Sequence, residues 1–341
     1  MTTSLRKYID KVLNRYNLSK EEVRSVMKII MSGESSADEL TQYLVALNDK
    51  GPTTEEITGA VEIMRQFVLP VKTKHPAVLD TCGTGGDHKG TFNISTVSAL
   101  VVAGAGVIVA KHGNRSVSST CGSADVLEAL GVNLNLEHGK LGKCLDEIGI
   151  AFLFAQTLHP AMKNVAPVRK AMGVKTIFNI LGPLTNPANA THQMMGVYSR
   201  DLVEPMAEVL QHLGLKRALV VHGNDGLDEI TTTDRTFVSE FNGKDVLTYD
   251  IDPEELGIAR ASHDDLKGEG LEDNVRILKD ILNGHQGPKY DIVLVNAAYA
   301  LYTAEKVKSI AEGISAARQS IDTGKALEKL EQLKEFTRSH G

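Results

Sequence analysis

The chain has 341 residues, with 37 Lys+Arg against 43 Asp+Glu and a formal net charge of −6. That balance excludes a nucleic-acid binder relying on a broad basic surface, and at roughly 150 residues per domain the length suggests two domains with sizeable cores. The three cysteines, Cys82, Cys121 and Cys144, read as free thiols of a reducing compartment. No apolar run reaches the ~18 residues of a membrane span, and residues 1–17 lack the apolar core of a signal segment, so a cytoplasmic protein with no membrane partner is expected.

Residues 1–70 read as helices only. Ser19 with Glu22, Ser36 with Glu39 and Thr53 with Glu56 have the spacing of capping boxes. Apolar residues then recur at helical spacing: Val23, Val26, Met27, Ile30; Leu40, Tyr43, Leu44, Leu47; Ile57, Ala60, Val61, Met64. Three one-faced helices should pack as a small bundle. PVKTKHP, residues 70–76, reads as a linker. It separates an α-helical domain, 1–72, from an α/β domain, 77–341.

Beyond the linker short apolar runs alternate with helical segments. A strand is predicted over 77–79, a helix over 95–105, a strand over 107–110 and a helix over 123–130. Strand, crossover helix, strand is the pattern of a parallel sheet with right-handed connections. Further strands are predicted over 217–222 and 291–296. Asn242-Gly243, between runs 236–241 and 245–249, signals a two-residue hairpin. VAPVRKAMGVKTIF reads as helical after Pro167, NILGPLTNP over 179–187 is turn-rich, and 316–336 reads as one charged amphipathic helix.

Three loops could carry chemistry. DTCGTGGDHKGTFNIST, 80–96, places Gly83, Gly85 and Gly86 between a strand and a helix start. Glycines admit an anion close to backbone N–H groups, and a helix N-terminus adds unpaired donors. The cluster reads as a phosphate cradle or as a tight structural turn, and its position favours the cradle. It is not a nucleotide P-loop, since GK[ST] is absent, nor a dinucleotide fingerprint, whose third glycine is replaced by His88. KHGNRSVSSTCGSAD, 111–125, follows the next strand and so should reach the same carboxyl edge of the sheet. HGNDGLDEIT, 222–231, carries the adjacent carboxylates Asp228 and Glu229, which either hold Mg2+ on a diphosphate or form a charged surface turn. Arg169 is suited to bidentate recognition of a carboxylate, or is an ordinary surface charge. His112, His159 and His222 read as packing or hydrogen-bonding residues, and Cys82 as a small buried thiol.

Taken together, DTCGTGGD (80–87), NIST (93–96), KHGNRSVSSTCGSADVLEALG (111–131), HPAMKNVAPVR (159–169), FNILGPLTNP (178–187) and DGLDE (225–229) resemble the anthranilate phosphoribosyltransferase family, across essentially the whole chain. The resemblance implies a small N-terminal α-helical domain hinged to a large α/β domain of nucleoside-phosphorylase-like type with a mostly parallel central sheet. It also implies a later contribution to the helical domain from about residues 167–187 and a homodimer through that domain. The implied activity, in tryptophan biosynthesis, is transfer of the phosphoribosyl group of 5-phosphoribosyl 1-diphosphate to the amine of anthranilate, with Mg2+. By position, Gly83, Gly86, Asp87, Thr91, Asn93, Ile94, Ser95 and Thr96 would line the phosphoribosyl diphosphate site. Lys111, His112, Gly113, Asn114, Arg115, Ser116, Val117, Ser118, Ser119 and Ser123 would complete it. Ser95, Asp228 and Glu229 would bind Mg2+, and Gly83, Asn114 and Arg169 would contact anthranilate. No dedicated catalytic base is identified, and catalysis is expected from positioning and electrostatics. The rival readings are a pyrimidine nucleoside phosphorylase-like enzyme and a non-catalytic relative that binds nucleotides or nucleic acid. The GTGGD, KHGN and DGLDE set favours the transferase, and the net charge speaks against the nucleic-acid reading.

Overall fold

The structure, a computed structural model, describes residues 4–115 and 121–341. Four helices open the chain: α1 (Arg6–Leu13), α2 (Lys20–Ser32), α3 (Ala37–Lys50) and α4 (Thr54–Met64). Capping boxes start α2, α3 and α4 at Ser19, Ser36 and Thr53. In each, the hydroxyl accepts the N3 amide while the N3 glutamate accepts the cap amide, so two orphan donors are met at once. All twelve residues of the three apolar stripes are buried. Glu56 does more than cap. Its carboxylate also accepts the Leu18 amide at 2.9 Å and pairs with Lys50 Nζ at 2.8 Å, in a setting where both side chains are almost fully buried.

The rest of the chain alternates. In order come β1 (Leu79–Asp80), α5 (Ile94–Gly104), β2 (Val109–Gly113), α6 (Ser123–Ala129), α7 (His138–Ile148), β3 (Ile150–Phe154), α8 (Ala155–Leu158), α9 (Ala166–Met172) and α10 (Phe178–Leu181). Then follow β4 (His192–Gly196), α11 (Val203–His212), β5 (Arg217–Gly223), β6 (Thr236–Phe241), β7 (Val246–Ile251), α12 (Leu271–Leu282), α13 (Pro288–Thr303), α14 (Ile310–Asp322) and α15 (Lys325–His340). The seven strands form one sheet in the order β3-β2-β1-β4-β5-β6-β7. Neighbours from β3 through β5 are parallel, whereas β5, β6 and β7 pair antiparallel. The Asn242-Gly243 turn closes the β6–β7 hairpin, with Gly243 at φ +94°.

Side chains of the central strands alternate between two cores, as the two-residue period of a strand requires. Met194, Leu219 and Val221 face a core built with α5, α13, α14 and α15. Met195, Ala218 and Val220 face the other way, into a core shared with α11, α1–α4 and residues 161–184. The later segment therefore packs with the opening helices: Val165, Val168, Phe178, Leu181 and Leu184 lie in the same cluster as Leu44 and Ile57.

Three passages of chain between the helical unit and the sheet are stitched together. Leu69 N donates to Leu158 O and Val71 N to Pro187 O, each at 2.9 Å. The linker is pinned further by Asp146, whose Oδ1 accepts Thr73 Oγ1 at 2.5 Å and Lys74 N at 3.0 Å. Gly142 of α7 leaves room for the Lys72 carbonyl, which a Cβ would strike.

Three expectations from the sequence are corrected. Residues 291–296 are not a strand but part of α13, because that helix is buried nearly all round and shows no amphipathic period. The single C-terminal helix over 316–336 is two helices, α14 and α15, broken at Thr323 and at Gly324, whose φ is +74°. The strand expected over 107–110 begins at Val109 and runs to Gly113, taking Lys111 and His112 into the sheet.

Removing Glu56 leaves Lys50 buried without its carboxylate and two amides without their acceptor. Glu56→Ala is expected to lower stability by about 3 kcal/mol in chemical denaturation, against about 1 kcal/mol for the exposed cap change Ser36→Ala. Equal losses in the two variants would contradict this reading of Glu56.

Candidate functional site

In the strand order, connections run outward from β1 toward β3 on one side and from β4 toward β7 on the other. The boundary between β1 and β4 is a topological switch point, where open α/β sheets form a ligand crevice beyond the carboxyl ends of their strands. The glycine-rich loop leaving β1 lies along the end of β4: Thr84 N donates to Gly196 O at 2.9 Å, and Tyr198 N donates to Thr84 Oγ1 at 3.0 Å. Gly85 and Gly86 adopt φ of +63° and +76°, which is why this turn needs glycine.

The loop after β5 closes the crevice. Gly85 N donates to Asp228 Oδ2 at 2.7 Å, and Ser95 N, in the first turn of α5, donates to Glu229 Oε1 at 3.1 Å. The adjacent carboxylates thus sit on the two kinds of donor that suit a phosphate, a glycine-loop amide and a helix-start amide. Below them Lys111 Nζ, buried in β2, donates to Thr81 O at 3.2 Å and to Ser95 Oγ at 3.4 Å. A water-sized cavity remains between Thr81, Ser95, Gly196, Glu229 and Asn296. Segments 80–96, 111 and 228–229 therefore meet at one rim.

Acidic groups crowd this rim. Burial, and then the Asp87 carboxylate, push Asp228 above the usual carboxylate range; burial, and then Asp228, do the same to Glu229, with Lys111 opposing. Asp228 and Glu229, adjacent buried carboxylates with raised proton affinity, are hard oxygen donors of the kind Mg2+ takes, and the Ser95 hydroxyl, held by Lys111, stands on the residue whose amide meets Glu229. Asp80 behind them is held at about 6 by burial, opposed by Asn186 and Lys111. Its oxygens accept His112 N at 3.0 Å and Asn186 Nδ2 at 2.7 Å, tying β1 to β2 and to the 186 passage.

Other expected residues are placed as follows. Asp87 faces Asp228, and Asn93 donates from its amide side chain to Cys121 O at 3.3 Å. Ile94, Thr96 and His112 are buried beneath the loops rather than lining open space. His112 Nε2 lies 3.0 Å from His159 Nε2, and burial holds both imidazoles neutral at ordinary pH. Gly113 packs where a Cβ would meet Ser123 Oγ and Phe152. Asn114 O accepts Ser123 Oγ, and Asn114 Oδ1 accepts the Arg115 amide and Gln156 Nε2. Arg115 is turned onto α6, paired with Asp125 and Glu128 at 2.8 Å each. Thr91 makes a bridge with Lys267 at the far end of the loop. Ser116, Val117, Ser118 and Ser119 lie outside the described residues. Burial pushes the Cys82 thiol far up, so it is no thiolate nucleophile.

Arg169 lies on α9, half-buried. Its Nη2 donates to Asn179 Oδ1 at 3.2 Å and its guanidinium stands 5.7 Å from the Phe178 ring, while its buried Nε has no hydrogen-bond partner among the described residues. A guanidinium seated on an amide and a ring, with a donor to spare, is equipped to take a planar carboxylate.

Two supporting residues escape a reading of the sequence. Gly196 ends β4 under the acidic loop, and a Cβ there would overlap the Asp228 carbonyl oxygen. Asn296, on α13, accepts Ile230 N at 3.0 Å and donates to Ile230 O at 2.8 Å, clamping the residue after Glu229. A strand-end glycine is the only signal for the first; the second lies in the segment whose sequence reads as a strand.

Similarity to known proteins runs over nearly the whole chain. Residues 75–327 match the glycosyl transferase family a/b domain, and residues 6–68 match the helical bundle domain of the same family. The chain is 50% identical over 330 residues to an anthranilate phosphoribosyltransferase of Petrotoga mobilis, covering 97% of this chain and 96% of that protein. The crystal structure of anthranilate phosphoribosyltransferase from Thermus thermophilus superposes with a TM-score of 0.92 at 44% identity, covering 97% and 99% of the two chains. The Saccharomyces cerevisiae enzyme of that name, in complex with PRPP and Mg, gives 0.91 at 29% identity with 98% of each chain covered.

Because Gly196 sets the height of the acidic loop, Gly196→Ala must displace Asp228. Manganese titration followed by electron paramagnetic resonance is expected to show at least ~10-fold weaker divalent-cation binding, the scale of supporting-shell changes at metal sites. Unaltered cation binding would show that the loop does not depend on this glycine.

Proposed function

This chain belongs to the anthranilate phosphoribosyltransferase family, and we propose that it transfers the phosphoribosyl group of 5-phosphoribosyl 1-diphosphate (PRPP) to the amine of anthranilate. The C1–O bond to diphosphate breaks, the amine nitrogen bonds to C1 and loses a proton, and N-(5-phosphoribosyl)anthranilate and diphosphate leave. The observation that carries the reading is the junction at the switch point, where Asp228 and Glu229 rest on the amides of Gly85 and Ser95. Those amides, with Lys111 close by, are the donors that receive a diphosphate once the carboxylates turn toward a cation. Mg2+, held by Asp228, Glu229 and Ser95, supplies charge neutralisation on the diphosphate leaving group.

Anthranilate's aromatic amine is a weak nucleophile, so the burden falls on departure of the leaving group and on holding the amine near C1. Lys111 and the start of α5 stabilise negative charge as it grows on diphosphate. Arg169 takes the anthranilate carboxylate, using the donor left unpaired beside Asn179. Gly83, which faces Gly196 and Asp228, and Asn114 would complete the anthranilate contacts. The glycine and KHGN loops hold the phosphoribosyl group. No residue is assigned as a base, since the amine gains acidity as it bonds to C1.

The same reading makes the protein a cytoplasmic homodimer joined through its helical unit. Leu13 at the end of α1, Tyr16 just beyond it and Val45 on α3 are exposed there, and among the described residues no helix is long and apolar enough to cross a membrane.

The test is direct. Loss of anthranilate fluorescence should require both PRPP and Mg2+ and release diphosphate one for one; nucleoside cleavage by phosphate without anthranilate turnover would replace the reading with the phosphorylase. Arg169→Ala should raise the KM for anthranilate ~30-fold or more, the scale of a lost charge-assisted bidentate contact, with PRPP binding little changed. Equal losses for both substrates would remove Arg169 from its role. The raised proton affinity of Asp228 and Glu229 sets a pH dependence. Only the deprotonated carboxylates hold the cation, so Mg2+ affinity should fall as pH drops from about 8 to about 6, whereas Asp228→Asn with Glu229→Gln should raise the Mg2+ requirement at every pH. A pH-independent Mg2+ requirement in the unmodified chain would contradict it.

A further inference from the structure

Between α9 and α10 the chain passes close to the glycine loop. Lys175 lies in this passage, next to Val174, which is exposed. Its backbone is fixed from the helical unit: Asn48 Nδ2, on α3, donates to Lys175 O at 2.6 Å. The next residue is fixed as well, because Thr176 N donates to Asn179 Oδ1 at 2.9 Å, the same oxygen that receives Arg169 Nη2. The side chain then leaves this unit altogether. Lys175 Nζ donates to Gly86 O at 2.8 Å and stands 3.5 Å from the centre of the Tyr198 ring.

Those two partners orient an ammonium without neutralising it. A carbonyl takes one of its three donors, and an aromatic face attracts the charge by its quadrupole. Both partners belong to the crevice. Gly86 is in the glycine loop, and Tyr198 follows β4 with its amide on Thr84 Oγ1. Lys111 lies beneath the same loop, on Thr81 and Ser95. The loop is thus bracketed by two cations, one from the sheet and one from the helical unit. Asp87 and Asp228 attract Lys175 electrostatically, while burial draws its proton affinity down.

We propose that Lys175 is a binding residue for the diphosphate group of PRPP, delivered to the glycine loop by the helical unit. The inference rests on the transferase reading above and extends it. One short passage, 169–179, then carries a cation for each substrate, Arg169 for the carboxylate and Lys175 for the diphosphate. Asn179 holds their spacing.

The test compares the unmodified chain with Lys175→Met, which keeps the length and removes the charge, and with Lys175→Arg, which restores it. Isothermal titration uses inorganic diphosphate with Mg2+, and then PRPP with Mg2+. Loss of one charge-assisted contact is expected to weaken both about tenfold in the methionine variant. The arginine variant should recover to within about twofold on the same scale. In steady-state kinetics the KM for PRPP should rise in the methionine variant while the KM for anthranilate stays put. Unchanged diphosphate binding, an equal rise in both KM values, an arginine variant as weak as the methionine one, or no diphosphate binding by any of the three chains would each overturn the proposal. An unmodified chain that binds diphosphate but never consumes anthranilate would bring down the transferase reading instead, while the diphosphate titrations still decide Lys175.

Discussion

Two carboxylate-to-amide hydrogen bonds hold the crevice together. Asp228 on the Gly85 amide and Glu229 on the Ser95 amide join the loop after β5 to the loop after β1, across the end of β4. Much of the local backbone is shaped to permit them. Gly85 and Gly86 take left-handed turns that aim an amide into the crevice. Gly196 has no side chain, so the Asp228 carbonyl can lie against β4. Asn296 grips both backbone polar groups of Ile230 from the buried face of α13. The bonds oppose a cost: burial first, then Asp87 beside Asp228 and Asp228 beside Glu229, raises the proton affinity of both carboxylates, and the Gly85 and Ser95 amides pull it back. A site that crowds acids onto anion-binding donors is poised for a cation and a polyphosphate together.

The helical unit contributes position and charge. Its core runs without interruption into residues 161–184 and into the α11 side of the sheet. From that frame α9 presents Arg169, and Asn179 holds the guanidinium while also receiving the Thr176 amide. The passages between the two parts are bonded to one another at Leu69–Leu158 and Val71–Pro187, so a displacement of one passage is felt by the others. This is a suitable arrangement for bringing an acceptor held by one unit against a donor held by the other.

Much of this was legible in the sequence, for reasons that differ by element. The three capping boxes and the Asn242-Gly243 hairpin are local devices whose chemistry is complete within a few residues. The meeting of the loops at one sheet edge was legible because glycines at a helix start and paired acids at a strand end both follow strands of one parallel sheet, although each composition also suits a structural turn. The buried helix α13 was not, because a helix apolar on every side has no period to separate it from a buried strand. Nor could the C-terminal break at Gly324 be told from a glycine inside one long helix. Arg115 reads as a ligand contact from its position in KHGNR, yet Asp125 and Glu128 on α6 claim its guanidinium. Asn296 and Lys175 have no local signature and Gly196 only that of a strand-end glycine; each acquires its role from a partner 66, 89 or 32 residues away.

The central claim is that three loops, distant in the chain, form one receptor for a sugar diphosphate. A crystal structure of the protein grown with Mg2+ and PRPP tests it most directly. The diphosphate is expected among the glycine loop, Lys111 and the 225–230 loop, with the Asp228 and Glu229 carboxylates on the cation. A sugar diphosphate bound anywhere else on the molecule would contradict it.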